Sequence, residues 1–208
     1  MAVSSDSKLE FTYLALGDSY TIGEGVPEAD RWGVLLAELL RERGVAVSNP
    51  ETIARTGWTT SELAAAISEA ALSEQYDLVS LLIGVNNQYR GQPLESYRTE
   101  FAGLLQTAIE LARQQQGHVL VLSIPDWGIT PFAHDRNQQQ ISEEIDAFNQ
   151  VARQECENAE VTYIDITPLT RAHGSDPTYL AADGLHYARE MHLEWAKLAL
   201  PAAQRILR

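Results

Sequence analysis

From Phe11 to Leu16 the chain carries a short apolar run that Gly17 ends, the pattern of a buried strand with Asp18 and Ser19 just past its carboxyl end. Gly23 and Gly25 then permit an irregular connection. Trp32, Leu35, Leu36, Leu39 and Leu40 recur at helical spacing, and Arg41 and Arg43 precede a Gly44 stop, which predicts a first helix. Val45–Val47 opens a second strand, and Ile53 to Gly57 follows toward the same rim. Thr59 with Glu62 forms a capping box for a helix over 60–72, so Gly57 lies just before a helix start. Residues 77–83 are almost continuously apolar, as a central parallel strand covered on both faces must be, and they run into Gly84-Val85-Asn86-Asn87.

The second half repeats this rhythm. Tyr97, Phe101, Leu104, Leu105, Ala108 and Leu111 mark one stripe of a helix over 94–116 that stops at Gly117. A strand over 118–124 closes at Pro125, and 126–136 reads as a rim loop around Trp127, Gly128 and Pro131. Ile141, Ile145, Phe148, Val151 and Ala152 give another amphipathic helix, and 161–166 a fifth strand. Residues 167–182 have the composition of a long loop. His186 falls where a last helix begins, with Leu193, Ala196, Leu200 and Ile206 along it and Pro201 expected to end or kink it. Strands alternating with helices imply an α/β protein: a three-layer α/β/α sandwich around a five-stranded parallel sheet, doubly wound by right-handed crossovers.

Composition adds bounds to this outline. At 208 residues the chain suits a single domain over 10–208 behind a flexible lead-in over 1–9. Its formal net charge of −14 repels phosphate backbones and anionic surfaces, which argues against nucleic acid as a partner. Cys156 is the single cysteine and reads as a spectator thiol. The N-terminus lacks an apolar leader segment and no stretch reaches the length of a membrane span, from which a cytoplasmic location is expected.

In open parallel sheets, ligands bind beyond the carboxyl ends of the strands. Four polar features reach that edge: Ser19, Gly57, Asn86, and Asp183 with His186. Their types match the needs of acyl transfer. Ser19 is the candidate nucleophile, His186 the general base and then acid, and Asp183 the group that orients the imidazole. The backbone N–H groups of Ser19 and Gly57 and the side-chain amide of Asn86 can surround an oxyanion.

Gly17-Asp18-Ser19, Gly57 before a helix, Gly84-x-Asn86 after an apolar strand, and Asp183-x-x-His186 near the C-terminus resemble the four ordered blocks of the SGNH hydrolases, the GDSL-type esterases and lipases. The resemblance implies a flavodoxin-like sheet and ester hydrolysis through a Ser-His-Asp triad without a metal or other cofactor. It places Ser19, Asp183 and His186 in the triad and Ser19, Gly57 and Asn86 in the oxyanion hole. Two positions depart from the pattern. Tyr20 stands in place of the leucine of the GDSL motif, and Asn87 where many members carry aspartate.

Other readings are weaker. Ser19 and Ser123 lack the Gly-x-Ser-x-Gly elbow, and there is no phosphate-binding Gly-rich loop ending in Lys-Ser/Thr. His118, His134, His173 and His192 show no metal-ligand spacing. Asp165 and Asp176 rank below Asp183 as the triad acid. Trp58, Tyr89 and Trp127 lie near rim segments, where each is as apt to anchor a loop as to line a substrate pocket. The expected substrate is a small ester, with acetylated sugars, short acyl esters, thioesters and lysophospholipids all open. The competing reading from another class is a noncatalytic module that binds carbohydrate or lipid on the same fold.

Overall fold

A computed structural model describes residues 10–70, 72 and 75–208; the expected lead-in over 1–9 lies outside the described residues. Five parallel strands form one sheet in the order β2-β1-β3-β4-β5. They are β1 (Tyr13–Gly17), β2 (Glu51–Ala54), β3 (Leu78–Leu82), β4 (Val119–Leu122) and β5 (Thr162–Ile164). Every residue of β1, β3 and β4 is buried, as their unbroken apolar runs require of strands covered on both faces.

The helices are α1 (Ser19–Ile22), α2 (Trp32–Glu42), α3 (Thr60–Ala70), α4 (Val85–Tyr89), α5 (Leu94–Leu111), α6 (Gln138–Asn158), α7 (Thr167–His173) and α8 (Arg189–Ile206). From β1 the chain crosses to β2 on one side, then returns past β1 and steps outward through β3, β4 and β5. Right-handed crossovers put α2 on one face and α3, α5 and α6 on the other. α8 packs on α2, and α6 on α5, completing the two outer layers. The reversal of winding direction falls between β1 and β3, so a crevice opens between their carboxyl ends. Ser19 follows one of these strands and Asn86 the other.

Several local expectations change. Val47 forms only a single bridge with Phe11, and the ladder of β2 starts at Glu51, because Pro50 has no N–H to continue it. α5 ends at Leu111, five residues early: Arg113 and Gln114 take left-handed backbone angles, φ 58° and 61°, and the Gln114 N–H closes on the Ile109 carbonyl. The stretch read as one loop contains α7, whose buried residues are Thr167 and Thr170. An apolar stripe is therefore no guide to that helix. Pro201 neither ends nor interrupts α8, which runs on to Ile206 with Trp195, Ala199 and Ala203 fully buried around it. His186 precedes this last helix rather than starting it. Among the described residues, no helix is long and apolar enough to cross a membrane.

Candidate active site

β1 delivers Ser19 by an abrupt turn. Gly17 lies so close to Thr21 Oγ1 and the Leu82 carbonyl that a Cβ there would approach them to 2.2 and 2.5 Å, so only glycine fits. Asp18 caps α1, its Oδ1 accepting the Tyr20 N–H at 3.0 Å. Ser19 is thereby the first residue of α1, where an α-helix leaves its backbone N–H without an internal acceptor. The Asp18 carboxyl is fully buried, and this desolvation pushes its pKa up to about 7 against the weaker pull of the Tyr20 N–H.

The 179–188 segment holds the other half. Leu180 bridges antiparallel to Tyr187, the Ala181 N–H donates to the His186 carbonyl, and the Ala188 N–H to the Tyr179 carbonyl. Gly184 makes the tight turn between them with φ 66°. Within that turn Asp183 Oδ1 accepts the N–H groups of Leu185 and His186 at 2.9 Å each, while Oδ2 lies 2.6 Å from His186 Nδ1. Burial raises the Asp183 pKa, but the hydrogen bonds from the His186 ring and the two amides outweigh it and hold the carboxyl below its ordinary value. A charged carboxylate accepts at Nδ1 only when that nitrogen carries a proton, the tautomer of an imidazole in which Nε2 is the basic nitrogen.

Ser19, Gly57, Asn86 and His186 all border one cavity of about 160 Å³. Gly57 has φ 87°, a conformation that costs L-residues and suits glycine. Its carbonyl accepts from Arg90 at 2.6 Å, and the next carbonyl, of Trp58, accepts from Asn86 Nδ2 at 2.9 Å. The second hydrogen of that amide remains for the cavity. Asn87, the departure beside Asn86, is buried. Its Oδ1 accepts the Thr60 N–H at 3.1 Å and its Nδ2 donates to Thr60 Oγ1 and Gln92 Oε1, so its amide ties α4 to the start of α3. Tyr20, the other departure, packs behind the serine with its ring 5.9 Å from that of His186 in an edge-on arrangement, and against Tyr187 and Trp195.

Tyr89 and Trp127 line this cavity; Trp58 does not, its ring packing on the core while its carbonyl holds Asn86. Tyr20, Thr56, Val85, Phe132 and Leu185 complete the lining. Arg90, which steadies the Gly57 loop, has no motif to announce it. Asp165 pairs with Arg153 and accepts from Ser123, and Asp176 caps its own turn at Thr178, so neither carboxylate faces His186. Among the described residues, no group of three or more His, Cys, Asp or Glu side chains is placed to hold a metal ion. Cys156 is buried, and that burial pushes its thiol up to about 12.

The family model of the GDSL-like lipase/acylhydrolase family matches residues 15–193. The chain belongs to that family. This GDSL-like protein is thus a hydrolase, with ester hydrolysis in general as its chemistry. No curated protein sequence matches it. Solved structures that resemble it include TesA, at 21% identity, covering 94% of this chain and 99% of that one with a TM-score of 0.74. The lipase/acylhydrolase of Enterococcus faecalis shares 18% identity over 95% of this GDSL-like chain and 97% of its own, TM-score 0.73. The psychrotrophic esterase EstA from Pseudoalteromonas sp., inhibited by monoethylphosphonate, shares 14% over 94% and 98%, TM-score 0.71. At these identities the likeness is one of fold, the α/β architecture of the GDSL and SGNH hydrolases.

Proposed function

We propose that the protein hydrolyses small carboxylic esters through an acyl-enzyme on Ser19. The observation that carries this reading is that Ser19, Gly57, Asn86 and His186 border one cavity while Asp183 holds His186 Nδ1 at 2.6 Å. In the first step His186 Nε2 takes the Ser19 hydroxyl proton as Oγ bonds to the ester carbonyl carbon. The carbonyl oxygen becomes an oxyanion between the N–H groups of Ser19 and Gly57 and the Asn86 amide. Collapse breaks the ester C–O bond, and the imidazolium returns its proton to the departing alcohol. Water, deprotonated by the same nitrogen, then attacks the acyl-Ser19 ester; the acyl–Oγ bond breaks, the imidazolium returns its proton to Ser19 Oγ, and the acid is released.

The size of the cleft supports a small substrate. About 160 Å³ is below the ~300–1,000 Å³ of pockets that hold drug-sized ligands. p-Nitrophenyl acetate and longer acyl homologues test the reaction, with Ser19→Ala as the control. Hydrolysis should be lost in Ser19→Ala; equal turnover by that variant, or none by the wild type on any ester, sinks the proposal and leaves the binding-module reading. A p-nitrophenyl ester of an ethylphosphonate, chosen because monoethylphosphonate inhibits the Pseudoalteromonas esterase, should lose p-nitrophenol and leave one covalent label at Ser19, readable by mass spectrometry.

A further inference from the structure

Behind the candidate cavity stands a cation that the proposed chemistry does not use. Tyr89, Trp127 and Phe132 form one wall of the cavity, with ring centroids 5.4 Å apart for Tyr89–Trp127 and 6.1 Å for Trp127–Phe132. Arg136 does not line that cavity. Its guanidinium carbon lies 5.2 Å from the Tyr89 ring centroid, 5.4 Å from Trp127 and 5.5 Å from Phe132, and its Nη2 donates to the Tyr89 hydroxyl at 3.1 Å. All three separations are within the ~6 Å at which an aromatic face attracts a guanidinium. Among the described residues of this acidic chain, no carboxylate lies within ion-pair distance of Arg136.

The three rings differ in how they are held. Trp127 is buried, with its Nε1 donating to Gln88 at 2.8 Å, and Gln88 is fixed in turn by Glu144 at 2.7 Å. Tyr89 and Phe132 are 49% and 40% exposed and lack such backing. One planar cation is shared by all three rings, the loose pair and the fixed one. Beyond the wall lies a second hollow of about 260 Å³, bordered by Tyr89, Trp127 and Arg136 on the near side and by Gln140 and Glu144 on the far side. Tyr89 and Trp127 therefore stand between the two spaces, while Phe132 borders only the first.

We propose that Arg136 is a specificity-determining positioning residue: it clamps Tyr89 and Phe132 against Trp127 and so sets the size limit on the ester group lying along that wall. This rests on the ester-hydrolase reading above. Without the clamp the two exposed rings are free to swing outward, the displacement of Tyr89 opens the cleft toward the second hollow, and discrimination against larger groups relaxes.

The test compares kcat/KM along two homologous series, acetyl to octanoyl esters of p-nitrophenol and ethyl to octyl acetates, for wild type, Arg136→Ala and Arg136→Gln. In at least one series the ratio of the longest to the shortest substrate should rise about tenfold in both variants, within the span one or two methylenes supply in an apolar pocket. Tyr89→Phe, which keeps the ring and removes the acceptor, should move the same ratio the same way, and its combination with Arg136→Ala should shift it by less than the sum. Ratios within twofold of wild type, a fall in both series, or a uniform loss across all lengths overturns the inference. Wild-type turnover abolished by Ser19→Ala would stand in each of those cases, so failure here is distinct from failure of the esterase proposal.

Discussion

Asp183→Asn isolates the carboxylate's orienting role with little disturbance to the turn around it. An asparagine keeps the Oδ1 acceptor for the Leu185 and His186 amides, so the loop that presents the imidazole retains its two 2.9 Å bonds. The NH₂ group, however, replaces the oxygen that lies 2.6 Å from Nδ1. Two donors cannot face each other, so the ring must adopt the tautomer with its proton on Nε2, where Ser19 needs a base. In an enclosed triad such a change lowers kcat by about 10⁴. Here the Asp183 side chain is 45% exposed, and water can solvate both the ring and the imidazolium. The expected loss is therefore smaller, roughly 10²- to 10³-fold, or about 3–4 kcal/mol of transition-state stabilisation. The assay is kcat on p-nitrophenyl acetate, with urea unfolding to show that the variant is folded. A folded variant that keeps more than a tenth of wild-type kcat refutes the assignment of Asp183 as the orienting acid.

Asn86→Ala removes a proposed oxyanion donor and should lower kcat by roughly a hundredfold or more; an unchanged kcat in a steady-state assay takes Asn86 out of the site. Gly17→Ala forces a methyl group to within 2.5 Å of the Leu82 carbonyl and should cost about 1–3 kcal/mol by urea unfolding, a loss below 0.5 being contrary to the close packing described. Two fully buried groups make opposed contributions to the pH dependence of stability. Asp18 keeps its proton to about pH 7 in the fold, so its stabilising contribution is complete below its ordinary value of 3.8 and lost as pH rises through 7. Burial lowers the His192 pKa to about 3, so its contribution is present above 6.5 and lost as pH falls. Asp18→Asn deletes only the first, and its stability should fall more steeply than wild type between about pH 6.5 and 4. Parallel urea midpoints across that range would contradict the burial argument.

Each element whose buried face is apolar was legible from its spacing. β1, β3 and β4 read as continuous runs because both faces are covered, and α2, α5 and α6 as stripes because one is. α7 was not, since its buried side chains are two threonines. The end of α5 was missed for a different reason: a left-handed Arg113 and Gln114 close the helix where a glycine was expected, and Arg113 is drawn toward Asp77 at 3.0 Å. Pro201 does not end α8 because the helix is held by burial against α2, not by its own propensity.

The sequence by itself determined the parts: a serine after the first strand, a glycine and an asparagine after two others, an Asp-x-x-His near the end, and the alternation that makes a parallel sheet of them. These follow from local chemistry and periodicity, which act between neighbours in the chain. Only the tertiary structure decided what stands between those parts. That Arg90 braces the Gly57 loop, that Trp58 offers Asn86 a carbonyl instead of a ring, and that Arg136 reaches Tyr89 are contacts between segments 28 or more residues apart, while Trp127 and Phe132, the other two rings that Arg136 gathers, are near it in the chain. No spacing rule encodes such contacts, because the reversal of winding between β1 and β3 and the turn at Gly184 bring the segments together only once the chain has folded.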